Sequence, residues 1–377
     1  MRRISPYIHQ RKSWPRFTWD SERIAYPLAA VRHKQGRLMG RMERLGFPLQ
    51  QEALLMTLTQ DVLKSSEIEG EKLNEEMVRS SIARQLGMEI GGLEPIDRNV
   101  EGVVEMMLDA TARWDDPLTS ERLFSWHAAL FPAGRSGMRR ITVGAWRTEA
   151  EGPMQVVSGP VSRQHVHFEA PVAKRLNQEM EKFLDWFNEA NERDWVLKAS
   201  VAHLWFVTIH PFDDGNGRIA RAIADMSLAR SERTSQRFYS MSAQVRLERA
   251  SYYEHLERAQ RGTLDITAWM LWFLDCLGHA IEGAQATLAM VLAKARFWEL
   301  LANVSLNERQ RLVLNRLLEG FEGKLTTSKW AKLTKSSQDT ATRDIHSLVA
   351  LGVLKRNPEG GRSTSYSLVL EPAVQGS

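Results

Sequence analysis

Twelve consecutive residues constrain this chain more than any others: His210-Pro211-Phe212-Asp213-Asp214-Gly215-Asn216-Gly217-Arg218-Ile219-Ala220-Arg221. Before them, Val196, Leu197, Val201, Leu204, Trp205 and Val207 recur at helical spacing and predict a buried amphipathic helix over Trp195 to Ile209, ending at His210. After them, Ile219, Ala220, Ile223, Met226 and Leu228 fall near one face of a second helix. Gly215-Asn216-Gly217 is then the turn that feeds this helix. A helix start leaves backbone N–H groups unpaired at the positive end of the dipole, which suits a phosphate.

Each side chain in the segment has a chemical use. The two glycines let the backbone curl a nest of N–H donors around an anion. Arg218 and Arg221, one turn apart, offer forked donors to further phosphate oxygens. Asp214 is an oxygen ligand suited to Mg²⁺, which takes one or two protein carboxylates beside substrate phosphates. His210 is the one group near neutrality at working pH and can take a proton from an attacking hydroxyl. Phe212 reads as an apolar anchor for the loop.

The string His-Pro-Phe-x-Asp-Gly-Asn-Gly-Arg-x-x-Arg resembles the signature of Fic-domain proteins and matches it at every position. The resemblance implies a mainly α fold: a Fic-type helical core with a short β-hairpin flap. It also implies transfer of AMP from ATP, with Mg²⁺, to a Ser, Thr or Tyr hydroxyl of a target protein. In that reading His210 is the general base, Asp214 the metal ligand, and Gly215, Asn216 and Gly217 the anion hole. Arg218 and Arg221 hold phosphates, and Ile219 and Ala220 complete the ATP-binding stretch. Self-modification is expected as well.

Upstream, Ser65-Ser66-Glu67-Ile68-Glu69-Gly70 is similar to the inhibitory Ser/Thr-x-x-x-Glu-Gly/Asn motif of many Fic proteins. Ser65 and Glu69 are four apart and share a helix face, and Gly70 fits a helix C-terminus. The resemblance implies that Glu69 pairs with Arg221 and keeps the γ-phosphate from a productive pose.

Gly152 to Pro160, followed by His165-Val166-His167-Phe168, alternates at period two between Gly-Pro signals and predicts a strand hairpin. By resemblance this is the flap on which the target segment docks near Val156 and Val157 by strand addition. His165 and His167 read as strand alternation rather than a metal pair, for want of a close third ligand. Tyr253 is read as a wall for the adenine base, with packing of Tyr252 and Tyr253 between helices as the alternative.

The chain has 377 residues, 43% hydrophobic and 25% charged, enough for two or three domains. A single cysteine, Cys276, excludes an internal disulfide and fits a reducing compartment. No signal-like or membrane-spanning segment is expected, since the apolar run Ala268 to Leu274 stops at Asp275. A cytoplasmic protein without membrane contact follows as an expectation.

Four segments are expected: residues 1–98, an N-terminal extension with the inhibitory helix; 99–282, the catalytic core; 283–304, a linker helix; and 305–371. The last holds three helices, over Glu308 to Leu318, Thr326 to Leu333 and Ser336 to Leu351, then two strands around Gly360-Gly361-Arg362-Ser363. This order resembles a winged helix-turn-helix. Residues 301–371 carry eleven Lys and Arg against seven Asp and Glu, which permits phosphate contacts by Lys335, Arg343, Lys355, Arg356 and Arg362. DNA binding, protein docking and homodimerisation stay open for it. Three rivals to AMP transfer also stay open: other phosphate-group transfer or de-AMPylation, a DNA-binding regulator with a nucleotide-sensing core, and an antitoxin-neutralised toxin.

Overall fold

The computed structural model describes residues 7–88, 95–149, 152–159, 165–189, 194–318, 321, 323–358 and 364–370. In chain order the helices are α1 (Ser21–Met42), α2 (Phe47–Ile68), α3 (Glu75–Gln85), α4 (Arg98–Ala112) and α5 (Ser120–Leu130). Two short antiparallel pairs follow, β1 (Arg135–Ser136) with β2 (Arg139–Arg140), and β3 (Gln155–Ser158) with β4 (His165–Glu169). Then come α6 (Leu176–Asn188), α7 (Trp195–Ile209), α8 (Asn216–Glu232), α9 (Met241–Leu247), α10 (Arg249–Gln260) and α11 (Thr267–Leu300). The chain ends with α12 (Glu308–Leu318), α13 (Thr327–Thr334), α14 (Gln338–Ala350), β5 (Leu354–Arg356) and β6 (Tyr366–Leu368).

The fold is mainly α, as expected. It divides into two compact units: Met1–Leu45, Leu54–Glu89 and Leu93–Ala284 form the first, and Gly46–Ala53, Ile90–Gly92 and Gln285–Ser377 the second. Of the segment ends expected, residue 98 is the first residue of α4, and residue 282 lies inside α11.

The first unit is built around α7 and α8. Every residue of α7 from Lys198 to Ile209 is buried, so the helix is enclosed on all sides rather than amphipathic. Three of its buried polar side chains have partners in the unit: Thr208 donates to Leu204 O at 2.7 Å, Lys198 to Glu189 O at 2.7 Å, and His203 Nε2 meets the Tyr252 hydroxyl at 3.0 Å. The aromatic N-terminal segment belongs to this unit. Trp14 donates to Glu179 at 2.8 Å, and Thr18 exchanges backbone bonds with Leu264 and Ile266 at 2.8 and 2.9 Å.

Helix α11 corrects one expectation. It runs 34 residues, and one window has mean hydropathy 1.2 with 44% of it buried, so one described helix is long and apolar enough to cross a membrane. The sequence reading stopped at Asp275, but a single acidic residue on the outer face does not end a helix. The apolarity has a core use, since Trp269, Met270, Phe273, Leu274, Leu277 and Ile281 are all buried.

The second unit has its own core, in which Val313 and Leu314 of α12, Trp330 of α13, Ile345 and Leu348 of α14 and Leu354 of β5 are at most 1% exposed. Asp344 accepts from Asn307 at 2.9 Å and Arg309 at 2.7 Å, pinning the start of α12 to α14. Strand β5 pairs antiparallel with β6, Leu354 opposite Leu368. Of the expected phosphate contacts, Lys335, Arg343, Lys355 and Arg356 are exposed. The loop Gly360 to Ser363, with Arg362, lies outside the described residues, as does Pro160 at the end of the first hairpin strand.

Candidate active site

Helix α7 ends where the chain turns left-handed at His210, φ 52°, and α8 begins at Gly215, φ 79°. Helices α1, α4, α5 and α7 start on Asp20, Asp97, Thr119 and Asp194, each accepting a backbone N–H. Helix α8 has no side-chain cap. Its first intrahelical bond runs from Ile219 N to Gly215 O at 3.0 Å, so the amides of Asn216, Gly217 and Arg218 precede the ladder. The turn holds its own shape. Asn216 donates to Phe212 O at 2.8 Å and accepts from Phe212 N at 3.0 Å, which uses up its side-chain amide as a brace. Phe212 is fully buried and stacks on His127 at 4.2 Å, so it anchors the loop as expected. Only glycine fits at Gly215, where a Cβ would meet the Phe131 ring at 2.9 Å in a left-handed backbone.

His210 is fastened on several sides. Its Nδ1 lies 3.2 Å from Val207 O, and its carbonyl accepts from Arg147 Nε at 2.7 Å. Only a protonated Nδ1 can donate to a carbonyl, which leaves Nε2 with a free lone pair. Burial, with the Arg147 charge assisting, lowers the His210 pKa from 6.5 to about 4 and keeps the ring neutral. Asp214 accepts from Gly215 N at 2.6 Å and from Ser136 Oγ. Neighbouring Asp213 accepts from Thr142 N at 2.8 Å. Ile219 and Ala220, expected in the nucleotide site, have side chains at 0% exposure in the core, so they offer a phosphate no side-chain atom.

The remote motif meets this turn. Helix α2 ends at Ile68, and Gly70, φ 86°, reverses the chain with Gly70 N bonded to Glu67 O at 3.1 Å and Glu71 N to Ser66 O at 3.0 Å. This is a helix-ending motif that needs a left-handed residue at Gly70, and it presents the carboxylates on either side of that glycine. Glu69 Oε1 accepts from Arg221 at 2.8 Å, while Ser65 takes two further Arg221 bonds, through Oγ at 2.9 Å and O at 2.8 Å. Glu69 also covers the start of α8, because a Cβ on Gly217 would collide with its Oε1. Glu71 Oε2 pairs with Arg218 at 2.6 Å, and the Arg218 guanidinium lies 5.1 Å over the Phe131 ring. Each arginine still has a buried nitrogen with no hydrogen-bond partner, Arg218 Nε and Arg221 NH1.

Among the tyrosines, Tyr252 is buried and Tyr253 is 38% exposed, with Arg249 5.2 Å over its ring. Burial first, and the Glu69 carboxylate second, raise the Tyr253 pKa. The hairpin pairs Val156 with Phe168 and Val157 with Val166 across a register shift, and β3 has no second neighbouring strand among the described residues. An open groove of about 420 Å³ runs beside it, lined by Arg139, Arg140, Thr142, Met154, Gln155 and Asp213.

His165 and His167, expected to have no close third candidate ligand, have the carboxylate of Glu257 of α10 beside them. Glu71, Ser136 and Arg147 belong to no motif in the sequence and join the site only through the fold. Glu71 follows Glu69 by two residues, but only its partner 147 positions away distinguishes it from a solvated turn residue. Glycine-marked turns at Gly134, Gly137 and Gly144 were the available signal for the segment that carries Ser136 and Arg147.

Residues 117–228 match the Fic/DOC family, and residues 7–88 match a domain of unknown function, DUF4172, which contains the Ser65 to Glu71 segment. The chain therefore carries a Fic/DOC domain. It is 33% identical over 105 residues to protein adenylyltransferase Fic of Drosophila grimshawi, covering 27% of this chain and 20% of that protein. It is 29% identical over 152 residues to protein adenylyltransferase fic-1 of Caenorhabditis elegans, covering 40% and 24%. The matched stretch thus spans about a fifth to a quarter of those proteins. A Fic family protein from Desulfovibrio desulfuricans G20 shares the fold at TM-score 0.53 and 20% identity, over 93% of this chain and 97% of that one. A Fic domain containing signaling protein from Bacteroides thetaiotaomicron VPI-5482 does so at 0.51 and 17%, over 69% and 98%.

Proposed function

We propose that the protein transfers AMP from ATP to a Ser, Thr or Tyr hydroxyl of a target protein, and that Glu69 and Glu71 hold it at rest. The observation that carries this reading is the pairing of both motif arginines with carboxylates from one remote turn, above a helix start that has no side-chain cap. A nucleotide tail would replace those carboxylates, and the orphaned Arg218 Nε and Arg221 NH1 are suited to its oxygens.

In the proposed reaction, His210 Nε2 accepts the hydroxyl proton while the hydroxyl oxygen attacks the α-phosphorus. The bond to the β-phosphate oxygen breaks and pyrophosphate leaves. Most of the rate comes from positioning and from charge stabilisation by the α8 amides and Arg218. Asp214, a carboxylate oriented by Ser136 and Gly215 beside the phosphate position, fits a Mg²⁺ ligand. When bound there, Mg²⁺ would neutralise phosphate charge. Tyr253 is the exposed ring available to the adenine, and the free edge of β3 near Val156 and Val157 suits an extended target segment. The test is intact-mass spectrometry of wild type and Glu69→Gly with ATP and Mg²⁺. A gain of one AMP on enzyme or added target supports the reading; no adduct in either protein rejects it.

For the second unit we propose a winged helix that contacts DNA phosphates. Three helices followed by a strand pair, with Arg343 on α14 and Lys355 and Arg356 on β5 exposed, support it. Full-length protein should bind duplex DNA with an affinity that falls as salt rises, because binding releases counterions. No binding at low salt would reject this role.

A further inference from the structure

His165 and His167 stand two apart on β4, and their rings meet edge to face at 4.6 Å. Glu257, from α10, reaches the same place, with Oε2 2.8 Å from His167 Nδ1. One ligand atom from each of the three residues lies within 4.8 Å of the others. The geometry points to a binding site for a single transition-metal cation of the Zn²⁺ class, held by His165, His167 and Glu257, that ties the flap strand β4 to α10. The site rests on these contacts alone and stands whether or not the protein transfers AMP.

Two imidazoles and a carboxylate are a ligand set that Zn²⁺ takes at about 2.0–2.2 Å, with a fourth position left for water. At those bond lengths neighbouring ligand atoms in a tetrahedron sit about 3.3–3.6 Å apart. Opening the 2.8 Å pair and bringing the atoms, now within 4.8 Å, to that separation is a matter of side-chain rotation, since His165 is exposed and the other two are half-buried. The same set disfavours Mg²⁺, which prefers oxygen ligands. It is therefore chemically distinct from the acidic position at Asp214.

The surroundings support a ligand role. Ser158 Oγ lies 2.6 Å from His167 Nε2, the ring nitrogen opposite the one that faces Glu257. A metal-bound imidazole almost always has such an oxygen on its other nitrogen, which fixes ring orientation, and a hydroxyl serves either tautomer. Arg261 takes the other Glu257 oxygen, Oε1, at 3.1 Å and donates to the carbonyls of Val166 and His167 at 2.7 and 3.0 Å. Its charge opposes a cation nearby, but it engages Oε1 and leaves Oε2 for the ion. In consequence the ion would restrain the strand that supports β3 and join it to the helix that carries Tyr253.

The test uses full-length, tag-free protein stripped with a chelator and titrated with ZnCl₂ by calorimetry, and with Co²⁺ by visible absorption. Wild type should bind one equivalent that excess Mg²⁺ does not displace, and Zn²⁺ should raise its melting temperature. His165→Ala and Glu257→Gln should each weaken that binding at least ~10-fold, and Ser158→Ala about 10-fold through loss of ring orientation. Asp214→Asn should leave it intact. Because His165 is exposed, His165→Ala reports on the ion without unfolding the flap, which circular dichroism checks. An equivalent that survives in the His165→Ala/His167→Ala double variant, that Mg²⁺ displaces, or that Asp214→Asn removes would overturn the assignment, as would no binding by wild type.

Discussion

The turn between α7 and α8 and the turn after α2 meet over the same arginines, yet they are built in opposite ways. The first makes its own geometry from neighbours: His210 leans on Val207, Asn216 on Phe212, and Asp214 on Gly215, all within four residues. The second closes its helix locally, but every contact that gives it meaning is distant. Ser65 reaches Arg221 across 156 positions, Glu69 reaches it across 152, and Glu71 reaches Arg218 across 147. The bonds inside the first turn involve no group of the second, whereas a carboxylate paired with a guanidinium competes with any other anion for the same donors. This difference is what the proposed autoinhibition would require.

The comparison breaks first at His210. His210→Ala, in a Glu69→Gly background, should lower AMP transfer by ~10²–10⁴-fold while nucleotide binding persists, because in the proposed reaction the base acts on the acceptor and other groups hold the phosphates. Labelled AMP incorporation beside calorimetric nucleotide binding checks it, and an undiminished rate would remove His210 from the chemistry. Next in size, Glu69→Gly alone should raise incorporation about 10-fold or more, equivalent to removing roughly 1.4 kcal/mol of bias. Arg221→Ala should cancel that gain, since the freed guanidinium is then missing; a Glu69→Gly rate equal to wild type would end the autoinhibition argument.

Glu71→Gln sharpens the contrast between the two carboxylates. The Glu71 side chain is 47% exposed against 31% for Glu69, so solvent screens its pair with Arg218 more. A rise of about 2–5-fold is expected, smaller than that of Glu69→Gly and additive with it only if the two pairs act independently. An increase larger than that of Glu69→Gly would reverse the ranking. The smallest effect is on pH. With its pKa lowered to about 4 by burial, His210 stays neutral as pH falls from 8 to 6, and protonation should cost less than about 2-fold in activity. An unperturbed imidazole would lose about 4-fold at pH 6. Ring signals of His210 followed by NMR through the same range decide between them.

The distinction between local and distant also explains what could be read without a structure. Helix α7 and its end at His210, the start of α8, the flap strands and α12 follow from apolar spacing, glycine positions and turn residues, which act within a few positions along the chain. The left-handed Gly70 was equally legible, because a helix that stops needs it. What no spacing contains is the meeting of chain segments. Glu71 lies beside Arg218, Ser136 beside Asp214, Arg147 beneath His210, and Glu257 beside two histidines only because packed helices bring them there. Helix α11 likewise extends past Asp275 because its inner face stays buried. Order along the chain sets the helix ends and the intra-turn bonds of the chemistry-bearing turn, since backbone conformation and short-range hydrogen bonds act within a few residues. Tertiary structure decided which charges oppose it, since an electrostatic partner depends on proximity in space and not on order along the chain.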